Sequence, residues 1–138
     1  MLTGLLHAHS GLRYLVLLAG VVALAYAIYG WATNRHYDRV MRITGASFAG
    51  LLHLQVVLGF VILVSGRLAG GIGGALIGHL FAMLFAAVVA QLPLSVMRRR
   101  PPEARTYLPH VVCTVIAFGL IWLGVASIGR GLLEAALF

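Results

Sequence analysis

His7 and His9 sit with Arg13 at the mouth of the first apolar run, in Leu6-His7-Ala8-His9-Ser10-Gly11-Leu12-Arg13-Tyr14. His79 follows a glycine-rich stretch much later in the chain. Imidazole is the commonest neutral metal ligand, and its charge switches near physiological pH. Ionisable side chains inside an apolar segment are functional candidates by default, because lipid makes them expensive to keep. Two such imidazoles facing each other could hold an iron-porphyrin from both sides, the geometry of a b-type haem. Arg13 is four residues after His9 and so on the same helix face. A guanidinium is the best bidentate partner for a carboxylate such as a haem propionate. Snorkelling of Arg13 to the membrane interface, with no ligand, is the alternative.

The elements that must position these residues are apolar throughout. The chain has 138 residues, 62% of them apolar and 9% charged, against roughly 25% charged in a soluble domain. That marks one integral-membrane domain over 1–138. Four continuous apolar runs, approximately 5–31, 43–65, 72–97 and 107–128, are each long enough to cross about 30 Å of hydrocarbon. Strands are excluded by the lack of alternation, since an open sheet cannot exist in lipid. The expected fold is all-α, a four-helix up-down-up-down transmembrane bundle with helices 1 and 3 on one diagonal.

The ten basic residues are all Arg, giving a formal net charge of +7. Seven of them (Arg35, Arg39, Arg42, Arg98, Arg99, Arg100 and Arg105) fall in the first and third connections. The positive-inside rule puts those loops in the cytoplasm and both termini outside, in the periplasm. Tyr29, Trp31, Tyr37 and Tyr107 mark the cytoplasmic boundary as an aromatic belt. No soluble segment is long enough to present a nucleic-acid surface. Cys113 is the only cysteine, so no internal disulfide forms. The first run lacks a basic n-region and reads as a span rather than a signal peptide.

Depth sorts the histidines. At 1.5 Å per residue, His9 lies roughly 6–9 Å below the outer start of its helix and His79 roughly 10 Å below its own. Those two can meet. His53 is about 15 Å from the cytoplasmic end and His110 within about 5 Å of it, a mismatch that argues against a second haem between them. Met83, four after His79, lines the same face, either as pocket wall or as ordinary core. Arg67 in the outer loop is a second candidate for the propionates. Gly74 and Gly78 form a small-xxx-small pair, whose usual meaning is close packing; Gly78 also stands next to His79 as a place where a flat ligand could approach. His53, beside Gln55 and between Gly50 and Gly59, fits an alternative axial ligand, a quinone hydrogen-bond partner, a proton relay or a structural histidine.

Three segments resemble a family of small bacterial four-helix membrane proteins described as cytochrome-b-like. They are His9-Ser10-Gly11-Leu12-Arg13-Tyr14, His53-Leu54-Gln55-Val56-Val57-Leu58-Gly59, and His79 with Met83. The first is similar to that family's His-Ser-x-Leu-Arg-aromatic opening, the second to its His/Asp-Leu-Gln…Gly segment. Here Gly78 replaces the acidic residue that often precedes the third-helix histidine, and the second loop is shorter. The resemblance implies a bacterial inner membrane, and His9 and His79 as the haem ligands.

Three readings follow. In the first, a membrane electron-transfer subunit carries one haem b and exchanges electrons with a quinol, or an outside donor, and a redox partner. In the second, a non-catalytic accessory subunit packs laterally on a larger respiratory or photosynthetic complex. The third, copper binding through His7, His9, Met83 and Cys113, suits soft ligands, but Cys113 belongs at the far end of helix 4. Acid–base catalysis is disfavoured because Asp38 and Glu103 lie in loops and Glu134 beyond the last span.

Overall fold

The structure is a computed structural model that describes residues 1–67 and 70–131, with the side chain of residue 67 outside the described part. Four helices carry the chain: α1 (Leu2–Ala32), α2 (Arg39–Ile62), α3 (Gly74–Arg99) and α4 (Leu108–Ser127). A π-helical turn, Leu63–Arg67, extends α2, and a 3₁₀ turn, Pro102–Ala104, lies between α3 and α4. No strand occurs among the described residues.

All four helices are long and apolar enough to span a bilayer. In each, only 28–33% of the most apolar window is buried inside the protein, so most of its apolar surface faces outward. Water would penalise that surface heavily. Lipid does not, and the chain is a membrane protein. Sequential helices pack antiparallel, α1 against α2 and α4, α3 against α2 and α4. α1 and α3 therefore lie on a diagonal, as the short connections require.

The bundle core is built largely from small residues. Ala23, Ala27, Ala49, Ala86, Ala87, Ala90 and Ala117 are all buried, with Phe48, Leu52 and Ile121 filling between them. Small side chains let helices approach closely where no hydrophobic effect drives them together. Gly30 is one such position, where a Cβ would lie 2.5 Å from the Tyr107 ring. α3 runs unbroken through the buried Pro93.

Two helix ends differ from the expected bounds for local reasons. α2 begins at Arg39, inside what reads as loop, because Asp38 caps it by accepting the Met41 N–H at 3.0 Å. α4 ends as a Schellman motif: Gly129 has φ 72°, its N–H bonds to Ala126, and the Arg130 N–H bonds to Val125.

Candidate functional site: a cavity between four helices

At the end of the bundle shared by the start of α1 and the finish of α4 lies a cavity of about 610 Å³. This is within the roughly 300–1,000 Å³ of ordinary small-molecule sites. α1 contributes Leu6, His9, Ser10, Arg13 and Val16, one face at helical spacing. α2 and its π-helical turn contribute Leu52, Gln55, Val56, Gly59, Ile62 and Leu63. α3 supplies Leu76, His79, Leu80 and Met83, and α4 supplies Ile121, Val125 and Ile128. Among the described residues the wall is apolar except for two histidines, two arginines, a glutamine and a serine, and no acidic residue lines it.

His79 is fixed by a hydrogen bond from Nδ1 to the carbonyl oxygen of Gly124, at 2.8 Å. A carbonyl only accepts, so Nδ1 carries the proton and Nε2 keeps its lone pair. Gly124 is among the last four residues of α4, whose carbonyls lack intrahelical partners. His79 thus caps α4 and is held in the tautomer that a metal-ligating histidine uses. Met83 is locked beside it: a Cβ on Gly124 would lie 2.5 Å from the Met83 methyl.

His9 is held differently. Its ring lies over Gly59, where a Cβ would be 3.1 Å from His9 Cε1. Its Nδ1 is buried without a hydrogen-bond partner. Gln55 donates Nε2 to the His9 carbonyl oxygen at 2.7 Å, while Gln55 Oε1 is also buried with no partner. Burying unsatisfied polar atoms costs about 1–3 kcal/mol each, so these two mark a place where the protein alone does not complete the bonding. Arg13 stacks over the Tyr14 ring at 5.3 Å.

The structure therefore brings His9, His79, Arg13 and Met83 to one cavity. It does not bring the other candidates there. His53 is exposed on the outer face of α2, its Nδ1 donating to the Ala49 carbonyl of its own helix at 2.6 Å. Gly78 packs toward Ser127 of α4 and does not line the cavity. The Arg67 side chain and Glu134 lie outside the described residues. Arg130 lines the cavity as its second guanidinium; its signal was Ile128-Gly129-Arg130, a glycine just past the last apolar turn. Gln55 was also missed, though its spacing of four from Gly59 puts both on one face. His7, two residues from His9, is exposed, as residues at that spacing do not share a face. Among the described residues no three or more His, Cys, Asp or Glu side chains converge. Any metal here would take two imidazoles and bring its remaining ligands with it.

The opposite end of the bundle holds the arginine-rich connections. His110 is fully buried there, and its Nε2 lies 2.8 Å from the Tyr37 hydroxyl with the two rings stacked. Burial pushes the Tyr37 hydroxyl up to about 12, so it stays protonated and neutral in its hydrogen bond with His110. The Tyr107 hydroxyl donates to the His36 carbonyl at 2.8 Å. Burial acts to raise the Asp38 carboxyl, but the Tyr26 hydroxyl, the Met41 N–H and Arg35 outweigh it and hold it below its ordinary value. No family model, curated protein or solved structure matches this chain.

Proposed function

We propose that the protein is a membrane electron-transfer subunit that holds one b-type haem in this cavity. The observation that carries the reading is the His79–Gly124 hydrogen bond, which presets the lone pair of Nε2 on a histidine sharing a cavity with His9, whose buried Nδ1 has no partner. His79 and His9 would be the axial ligands. Arg13 and Arg130 line the cavity and are the cations that would face the two propionates. The apolar wall keeps water out and so sets the potential. Bound haem supplies one-electron exchange between ferrous and ferric iron.

By the positive-inside rule, the arginine-rich end faces the cytoplasm and the cavity opens toward the other side of a bacterial inner membrane. Electrons would reach a quinone or a larger redox complex laterally. An accessory-subunit role is compatible with this and is favoured by Gly4, Ala8 and Gly11, which present small, exposed positions along α1. Absorption of protein purified from haem-replete cells tests the reading. The expected reduced spectrum has a sharp Soret and α band; protein that stays colourless after haem addition would remove it.

A further inference from the structure

A second cavity, of about 300 Å³, lies between α2 and α3 at the arginine-rich end, far along the bundle from the histidine cavity. Three arginines from separate elements line it: Arg42 in the first turn of α2, Arg98 in the last turn of α3, and Arg105 after the 3₁₀ turn. Tyr37 and Gln91 add polar residues to the lining. Among the described residues no acidic residue lines it. Asp38, four residues before Arg42, is occupied by Tyr26, Arg35 and the α2 cap, and Glu103, two residues before Arg105, is exposed and does not line the cavity. The single guanidinium–carboxylate pair among the described residues is Arg35–Asp38, at 3.7 Å.

Topology alone does not account for this grouping. The positive-inside effect needs arginines near the spans, not in a shared cavity, and Arg39, Arg99 and Arg100 satisfy it without lining one. Arg105 is further oriented by donating Nε to the Arg100 carbonyl at 3.1 Å. Like charges brought together cost energy unless an anion sits between them. The other side of the cavity is apolar and low: Ala46 and Gly50 are exposed on α2, and a Cβ at Gly50 would meet nothing within 4 Å. Ile43 and Leu54 continue that face along the span and are 52% and 53% exposed. A cationic head above an open apolar slot matches one kind of molecule.

We propose that this cavity binds an anionic phospholipid, its phosphate among Arg42, Arg98 and Arg105 and an acyl chain lying over Ala46 and Gly50. Arginine is suited to phosphate because its planar fork makes two parallel hydrogen bonds, and basic pockets between spans recognise lipid head groups this way. The site is independent of the histidine cavity and stands or falls without it.

Native mass spectrometry of the full chain in detergent, with phosphatidylglycerol, phosphatidylcholine or inorganic phosphate added, tests the proposal. Phosphatidylglycerol is expected to be retained about tenfold more than phosphatidylcholine. Arg42→Gln with Arg98→Gln should abolish that preference, whereas Arg99→Gln with Arg100→Gln, an equal loss of charge outside the cavity, should keep it. Gly50→Leu puts a larger side chain into the slot at a position where a Cβ meets nothing within 4 Å and should lose the lipid. Equal retention of the two lipids by the unaltered protein would overturn the proposal, and that comparison depends on no variant. Equal losses in the two double variants would reduce the site to general surface charge. Inorganic phosphate bound alike by the unaltered protein and Gly50→Leu, without lipid preference, would make free phosphate the ligand.

Discussion

His110 and His9 are both intramembrane histidines on the inside of the same bundle, yet their surroundings are opposite. His110 has a protein partner in the Tyr37 hydroxyl and a stacked ring against it. His9 has a buried nitrogen with no partner and a cavity beside it, although a glycine lies under each ring, Gly45 under His110 and Gly59 under His9. The protein answers the Nε2 of one ring and leaves the Nδ1 of the other unanswered. A histidine inside a membrane protein is thus read by what answers its ring nitrogens, not by its depth.

That contrast can be broken by substitution. Removing His110 should have the largest effect on stability. His110→Ala leaves a void and strands the Tyr37 hydroxyl, so unfolding in detergent should become easier by about 2–4 kcal/mol. His9→Ala in haem-free protein removes a group that is already unsatisfied and should change stability by less than about 1 kcal/mol. Comparable losses from both variants would erase the distinction.

The glycines sharpen the same comparison at intermediate size. Gly30→Ala drives a methyl to 2.5 Å from the Tyr107 ring, inside packed structure, and should cost about 1–3 kcal/mol. Gly59→Ala places its methyl 3.1 Å from His9 Cε1, and that ring can retreat into the cavity. Its thermal midpoint should barely move, while haem uptake should weaken. An equal drop in midpoint for both would mean the cavity end is as tightly filled as the other.

The smallest effect belongs to the α2 cap. Asp38→Ala should cost about 1 kcal/mol. Because the Asp38 carboxyl is held below its ordinary value in the folded protein, its contribution is present above about pH 4 and fades as the pH falls through the lowered value. The variant should therefore lose part of the acid sensitivity seen in thermal melts of the unaltered chain. Identical acid profiles would show that the cap carries no charge-dependent stability.

The fold was legible in the sequence because each span is a long apolar run bounded by arginine or glycine, and those signals are local. That His9 and His79 reach one cavity was legible too, since helix rise and up-down order fix depth and diagonal. The hydrogen bond from His79 to Gly124 was not, because it joins α3 to an unremarkable glycine 45 residues later. Rotation about a helix axis also escaped: His53 and Gln55 differ by two residues, and only Gln55 turns inward. Arg130 was hidden behind a helix stop whose geometry depends on one residue with positive φ. The grouping of Arg42, Arg98 and Arg105 depends on how α2 and α3 lie together, which no spacing within either helix reveals.

Haem retained per protein after purification, compared across His9→Ala, His79→Ala, His53→Ala and His110→Ala, tests the central claim most directly. Near-complete loss of haem in the first two is predicted, with retention in the others to the extent that they fold. Haem kept by both His9→Ala and His79→Ala, or lost only with His53, would contradict it.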